Sequence, residues 1–356
     1  MVYYTTMKKQ YSATICALCA FFCAGAVTGC NSTPAREQER AVFPVSQAQK
    51  KVIERRAAAL KKVTASLKIR GVGIRLNAYR NTPMPDSQII SLVKKLGFNR
   101  IYCYISSETE LSEDLACLVT SAASAGIPVE LVIRQGDFRK RYRGNALIRC
   151  LLPQFRQLPE LAEEIVDFNE DLPEKAKLAG VTVRFEPHLF TYANGAAEIP
   201  GLHYIWSDHA FGKDLDNDKL VELSMKQLQQ MKKKLGTLPL SVELPDYYPL
   251  WKKEGKLSRG SVKDFAAVGK VMLQCSGNVP SMLLKSVSFM KDGENMLAVI
   301  PVADHTSVRS GALRRRDWND LVKSLGYFIN SSRNMNCSGV VIRPLSEVGY
   351  MLLEQD

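Results

Sequence analysis

The feature that most constrains the fold of this chain is a regular alternation of short apolar, β-rich runs with longer helical runs. Segments with helical periodicity separate the β-rich runs. Eight β/α repeats that close on themselves make a (β/α)8 barrel, and residues 69–356 suit one such domain. The predicted strands are 70–76, 100–105, 128–134, 181–186, 238–244, 269–275, 296–302 and 338–343.

The helix predicted after the first strand has the clearest signals. Ile89, Leu92, Val93 and Leu96 share one face, Asp86 or Ser87 can cap the start, and Gly97 can end the helix. We interpret the run at 202–206 as part of a long loop after strand four, although it could form a strand. The other predicted helices are 111–125, 156–179, 216–235, 261–267, 279–291 and 312–331.

The N-terminus has the charged-then-apolar order of a secretory signal, with Lys8 and Lys9 before an apolar stretch at 13–27. As a helix this stretch would measure about 22 Å, short of the ~30 Å that a membrane span needs, so we expect cleavage. The sequence Val27-Thr28-Gly29-Cys30 resembles the lipobox of bacterial lipoproteins. The resemblance implies a lipid on Cys30 and an extracytoplasmic, membrane-anchored protein, at the outer membrane where a cell has two.

The predicted organisation is a signal peptide at 1–29, a polar flexible tether at 30–50, a basic helix at 51–68 and the barrel domain at 69–356. The basic helix either packs on the body or lies along anionic headgroups. Its apolar positions are few and mostly alanine, which favours packing.

Charge narrows the choice of partners. Without residues 1–29 the chain keeps 46 basic and 36 acidic side chains, a formal charge of +10. For an exported protein this favours anionic lipid or acidic polysaccharide, and we expect no nucleic acid partner. Cys103 and Cys275 lie in apolar runs and are expected to be buried.

Alternation along the strands turns an unusual number of polar side chains toward the barrel lumen, where Val, Ile and Leu are the rule. Buried charges are costly unless paired, so these residues predict a solvated working cavity. A purely structural network, such as Arg184 with Glu130 and Arg75 with Glu186, is the alternative. The residues expected inside are Gly71, Gly73, Arg75, Asn77, Tyr102, Tyr104, Glu130, Arg134, Thr182, Arg184, Glu186, Ser241, Glu243, Gln274, Asp304, His305 and Arg343.

Four segments of the first half, RGVGIRLNAY, LVKKLGFNRIYCYI, SAGIPVELVI and VTVRFEPHLF, resemble the first four β/α units of (β/α)8 glycoside hydrolases. The resemblance covers residues 69–190. It implies that Glu186, at the end of strand four, is the general acid/base.

Glycoside hydrolysis needs one carboxylic acid and a second carboxylate, and Glu243 or Asp304 could be the partner of Glu186. Arg184 or Arg134 beside Glu186 would favour its charged form, which suits a base better than an acid. Tyr247 and Trp251 could stack on sugar rings or pack a loop. The expected substrate-binding residues are Arg75, Tyr104, Arg134, Arg184, His188, Tyr247, Trp251, His305 and Arg343.

The sequence predicts neither a cofactor nor a metal site, since no glycine-rich phosphate loop, HxH or HExxH spacing is present. The favoured hypothesis is an anchored glycoside-hydrolase-like enzyme acting on a polysaccharide. Basic loops at 139–143 and 314–316 favour an anionic one. The alternative is a noncatalytic lipoprotein that binds glycan or envelope polymer, and a metal-dependent hydrolase comes third.

Overall fold

A computed structural model describes residues 47–75, 85–105, 110–134, 146–185, 217–275, 288–292, 295–303, 313–314, 318–332 and 335–353. Nine strands lie within these ranges, and eight of them match the eight predicted strands within two residues at each end. The strands are β1 (Ile69–Arg75), β2 (Arg100–Ile105), β3 (Val129–Arg134), β4 (Gly180–Arg184), β5 (Leu240–Pro245), β6 (Lys270–Gln274), β7 (Met296–Ala303), β8 (Leu313–Arg314) and β9 (Cys337–Arg343).

The strands form a closed parallel ring. Neighbours follow chain order from β1 to β7, and β9 pairs with both β7 and β1. The short β8 pairs only with the end of β7, at Val302 and Ala303, and stands outside the ring. The fold is therefore the predicted (β/α)8 barrel.

Nine α-helices lie within the described ranges. They are α1 (Gln47–Thr64), α2 (Asp86–Leu96), α3 (Glu113–Ser124), α4 (Ala146–Asp171), α5 (Asn217–Leu235), α6 (Tyr247–Lys253), α7 (Val262–Ala266), α8 (Trp318–Ser331) and α9 (Leu345–Leu353). Short 3-10 helices cover Glu174–Ala176 and Ser288–Asp292. Within the described ranges, no helix is long and apolar enough to cross a membrane.

Most predicted helices are present, with differences at five places. The helix predicted at 312–331 begins at Trp318, and Leu313–Arg314 forms the strand β8. The helix predicted at 156–179 begins ten residues earlier and ends at Asp171, where Leu172-Pro173 leads into a 3-10 turn. Helix α6 forms within a segment interpreted as loop, and α9 was not predicted. Of the helix predicted at 279–291, the described part is a 3-10 turn; the run at 202–206 lies outside the described residues.

Helix α2 shows how local sequence sets an element. Ile89, Leu92, Val93 and Leu96 are buried on one face, as their spacing predicts. Gly97 ends the helix in the left-handed conformation, at φ +81°, which a residue without a Cβ adopts without strain. Its backbone N–H donates to the carbonyl of Lys94.

Helix α1 packs on the outside of the barrel, against α2, α8 and α9. Its buried side chains include Ile53, Ala57 and Leu60. Arg56 is also buried, and its Nη1 donates to the carbonyl oxygens of Met351 and Leu352, each at 3.2 Å. A cation there satisfies carbonyls that the end of α9 leaves without helical partners. The helix is therefore fixed to the body by both apolar and polar contacts.

Candidate functional site

Three layers of side chains fill the barrel lumen, each offset by two positions along its strand. Arg100 and Glu130 stand near the starts of β2 and β3. Tyr102 and Val132 come next, and Tyr104 follows on β2. The middle layer is apolar and separate from the main core: Tyr102, Val132, Met272, Leu297, Val299 and Val341. The lumen thus holds two polar groups of residues, one at each end.

The lower polar group lies at the N-terminal ends of the strands. Arg100 Nη1 lies 3.0 Å from Glu130 Oε2, and the Thr182 hydroxyl donates to Glu130 Oε1. Thr182 Oγ1 also lies 3.4 Å from the Met272 sulfur. Residues at this end of a (β/α)8 barrel usually contribute to stability rather than to catalysis. Glu130 is thus inside the lumen, as alternation predicts, but it lies away from the mouth and pairs with Arg100 rather than with Arg184.

The upper polar group, which we call the lumen cluster, consists of Tyr104, Arg184, Glu243, Gln274 and Arg343. Arg343 Nη1 lies 2.7 Å from Glu243 Oε1, and Arg184 Nε lies 3.4 Å from the same oxygen. Arg184 Nη2 donates to Gln274 Oε1 at 3.3 Å. Glu243 is fully buried. Its charge is thus held by two guanidinium groups inside the barrel.

Tyr104 links the carboxylate to one of its arginines. Its hydroxyl donates to Glu243 Oε2 at 3.2 Å and accepts from Arg343 Nη1 at 2.9 Å. The Arg343 guanidinium also stands 5.3 Å from the centre of the Tyr104 ring. Desolvation, reinforced by the negative charge of Glu243, raises the pKa of Tyr104, while Arg343 opposes the shift. The phenol therefore keeps its proton and remains a donor.

Strand register explains why these side chains meet. Arg184 on β4 is aligned with Glu243 on the neighbouring strand β5, whereas Arg343 on β9 and Tyr104 on β2 reach the same carboxylate across the lumen. All the cluster residues stand near the C-terminal ends of their strands, where barrel enzymes carry their chemistry. The alternation rule anticipated each of them. The ion pairs differ from those suggested as an internal network, since Glu130 pairs with Arg100 and Arg184 with Glu243.

Two glycines on β1 provide space in the lumen, Gly73 for this cluster and Gly71 for the apolar layer below it. A Cβ on Gly73 would stand 2.7 Å from the Cβ of Arg343 and 2.8 Å from Cε2 of Tyr104. A Cβ on Gly71 would stand 2.5 Å from Cε2 of Tyr102. These separations are shorter than any normal carbon contact, so β1 must lack side chains here for the rings and the guanidinium stem to cross the lumen. Alternation placed both glycines inside, but the sequence carried no signal for this packing role.

The aromatic residues after β5 pack against one another and the core, which agrees with the packing role rather than the sugar-stacking role considered for them. They form helix α6, where Trp251 is buried and its ring centre lies 4.7 Å from that of Tyr247. Tyr248 packs on Phe185 with ring centres 5.1 Å apart. Both Trp251 and Tyr248 belong to the main apolar core. Trp251, expected to bind substrate, is thus a core residue, which corrects that expectation; Tyr247 packs beside it.

The remaining predicted site residues are not part of the described cluster. Arg75 ends β1 and its side chain is exposed, and Arg134 ends β3, with only its backbone described. Cys103 and Cys275 are fully buried, as predicted. Cys30, Glu186, His188, Asp304 and His305 lie outside the described residues.

Comparison with known proteins finds only distant structural likeness. No protein-family model and no curated protein sequence matches it. An exo-β-1,4-mannosidase from Opitutaceae bacterium strain TAV5 has 10% identity and a TM-score of 0.47, over 79% of this chain and 53% of that one. The chain therefore spans about half the length of that enzyme.

Two further solved structures cover this chain to a similar extent. A psychrophilic family 10 endo-β-1,4-xylanase matches with 12% identity and a TM-score of 0.45, over 80% of this chain and 88% of that one. A fungal β-1,4-galactanase matches with 11% identity and a TM-score of 0.48, over 78% of this chain and 89% of that one. The chain is thus distantly similar in structure to glycoside hydrolase (β/α)8 barrels, and the likeness concerns the fold alone.

Proposed function

We propose that this chain is an extracytoplasmic, lipid-anchored enzyme that hydrolyses glycosidic bonds in a polysaccharide carrying anionic groups. The observation that carries the proposal is the lumen cluster. Ordinary barrels fill this level with branched apolar side chains, and burying charged groups costs several kcal/mol each unless they are paired. A chain that places two arginines, a glutamate and a tyrosine at the mouth end has the polar groups that a carbohydrate site requires.

The proposed chemistry uses two carboxyl groups. Glu186 follows Arg184 by two positions, directly beyond the end of β4, and is assigned as general acid/base. Glu243 forms ion pairs with two arginines, so it suits the carboxylate role rather than that of proton donor. Both of its oxygens already have partners, however, which favours a role in holding Arg184 and Arg343 in place. Asp304, directly after β7, is then the preferred second carboxylate.

The anionic character of the substrate is supported by charge. The described cluster contains two guanidinium groups and one carboxylate, and the chain without residues 1–29 has a formal charge of +10. A guanidinium can bind a sugar carboxylate or sulfate through two parallel hydrogen bonds. We assign Arg184 and Arg343 to this role. Tyr104 and Gln274 are assigned to hydrogen bonds with the uncharged hydroxyl groups of the sugar.

The location is proposed from the sequence features at residues 1–30. Cleavage before Cys30 and lipidation of that cysteine would leave a polar tether between the lipid and α1. Mass spectrometry of the N-terminal peptide tests this directly: a diacylglyceryl-modified Cys30 supports the anchor, and an unmodified cysteine or an uncut signal contradicts it.

The activity is tested by incubating the protein with neutral and uronic-acid-containing polysaccharides and measuring new reducing ends. Cleavage of an acidic glycan supports the proposal. For that substrate, Arg184→Met should raise KM about tenfold, because one charge-assisted pair with the substrate is lost. Arg259→Met removes an exposed arginine and should leave KM unchanged. If the protein binds a glycan but cleaves none, the result would instead support the second candidate, a noncatalytic glycan-binding lipoprotein. The pairing of both Glu243 oxygens favours this candidate.

A further inference from the structure

A lysine-rich corner lies at the N-terminal end of the barrel, remote from the lumen cluster. Its four exposed lysines are Lys61 and Lys62 in the last turn of α1, Lys68 just before β1, and Lys94 in the last turn of α2. The chain enters the barrel here, because α1 ends and β1 begins at this face. We call these four residues the basic corner.

The basic corner is held by a rigid framework. Arg70 Nε donates to the carbonyl of Gly97 at 2.8 Å, which joins the start of β1 to the end of α2. Asn99 Nδ2 donates to the carbonyl of Lys68 at 3.0 Å, and the backbone N–H of Arg70 donates to Asn99 Oδ1 at 2.8 Å. The lysines therefore project from backbone whose positions are fixed relative to one another.

Lys95, which follows Lys94, lies near enough to Lys61 for the two positive charges to interact. Desolvation lowers the pKa of Lys95, Glu54 opposes the shift, and the positive charge of Lys61 adds to it. Lysines at helix C-termini are common because they complement the helix dipole. That effect accounts for Lys61, Lys62 and Lys94 singly, but not for Lys68, which belongs to no helix, or for the exposed apolar residue on a neighbouring helix.

That residue is Tyr327 on α8. Among the described residues it is the one large apolar side chain that is exposed, at 49%. A Cβ added to the preceding Gly326 would lie 3.7 Å from Val63, which follows Lys62 in α1. Tyr327 is thus an exposed aromatic residue on the helix that packs against α1. At a membrane interface such a ring lies at headgroup level while lysines contact lipid phosphates.

Charge is distributed unequally around the barrel. Helix α1 contains six basic residues and one acidic residue, a net +5. Helix α4 contains six acidic and two basic residues, a net −4, and lies between β3 and β4, three strands around the ring from the β9–β1 junction beside α1. The last turn of α5 adds Lys232, Lys233 and Lys234 at the same end of the barrel, so a negatively charged surface attracts the N-terminal end.

We propose that the basic corner, together with Tyr327, rests on an anionic phospholipid surface, so that the barrel mouth faces away from the membrane. The inference rests on the proposed anchor at Cys30. Residues 31–46 could reach about 55 Å when extended, while α1 is about 27 Å long, so the tether allows the corner to approach the membrane that holds the lipid. In this orientation the lumen cluster would be accessible to glycan.

The test uses the full lipidated chain in vesicles and measures how fast each lysine reacts with a water-soluble acetylating reagent, by peptide mass spectrometry. On vesicles with about 30% phosphatidylglycerol, the four corner lysines should react at least about threefold more slowly than on neutral phosphatidylcholine vesicles. The exposed Lys226 and Lys263 are internal controls and should react equally on both. About 0.5 M salt should remove the protection, because charges are then screened within a few ångströms.

A double variant, Lys61→Gln with Lys62→Gln, should weaken the protection of Lys68 and Lys94, with glycan turnover unchanged and only a small loss of thermal stability from the weaker interaction with the helix dipole. Equal reactivity on charged and neutral vesicles, with the lipid on Cys30 verified by mass, would overturn the inference and leave the anchor standing. A second outcome would also overturn it. If soluble polygalacturonate slows acetylation of the corner lysines as much as charged vesicles do, the corner is a polymer-binding surface.

Discussion

Glu243 and Arg343 form an ion pair across the barrel lumen, with 2.7 Å between Oε1 and Nη1, although two strands of the ring, β6 and β7, separate the strands that carry them. The pair is buried, and Arg184 and Tyr104 contact the same carboxylate. It therefore joins opposite parts of the barrel wall at the level where the proposed chemistry takes place.

Removing one partner of this pair is expected to destabilise the protein strongly. Glu243→Gln leaves Arg343 and Arg184 buried beside a neutral amide, so the free energy of unfolding should fall by about 3 kcal/mol. Arg343→Met should cost a similar amount, and the double variant less than the sum. Urea denaturation of the three variants measures this, and additive losses would mean that the two residues are not energetically coupled.

The space left by Gly73 gives a prediction about the site rather than the fold. Gly73→Ala forces a methyl group to within 2.7 Å of Arg343, so the cluster must move. Glycan turnover should fall at least about tenfold, with a stability loss of about 1–3 kcal/mol. Gly349→Ala is the matched control, because its Cβ would meet only Leu92 at 3.7 Å. If Gly73→Ala keeps wild-type turnover, the cluster does not need its present geometry.

Stability should depend on pH through Asp86, the first residue of α2. Desolvation, with help from Asp114, raises the pKa of Asp86 to about 6, from an ordinary value of 3.8. A raised carboxyl pKa means that the folded state binds the proton more tightly than the unfolded state. This cost to folding is absent below about pH 4, grows as pH rises and is complete above about pH 6.

Asp86→Asn should therefore stabilise the protein at pH 7 by about 1 kcal/mol, a value reduced because the carboxyl is partly solvated. The gain should vanish at pH 4. Thermal unfolding at the two pH values measures it, with the exposed Glu113→Gln in α3 as a control that should show no such gain. A gain of equal size at both pH values would contradict the assignment.

Periodicity predicted the barrel well because most of its eight strands alternate with helices in the described residues, and the clearest of these helices has one apolar face. The Ile89, Leu92, Val93 and Leu96 stripe with Gly97 after it is typical. Helix α6 was missed because its aromatic residues follow β5 directly and were interpreted as loop residues that either stack on sugar rings or pack the loop, whereas Trp251 and Tyr248 are packed in the core.

Alternation also predicted which side chains enter the lumen, but not their partners. Register and barrel stagger decide that Arg184 meets Glu243, and that Glu130 meets Arg100 at the other end. Such offsets arise only when the ring closes, so no local pattern contains them. The role of Gly73 as space for Arg343 has the same origin.

The most direct test of the proposed function is the rate of glycan cleavage by Glu186→Gln. The substitution removes the ionisable group with little change in size, so on an acidic polysaccharide cleaved by the wild type we expect turnover to fall by about a hundredfold or more, with binding retained. Glu160→Gln, at an exposed position on α4, should cleave at the wild-type rate. Wild-type turnover by Glu186→Gln would contradict the proposed mechanism.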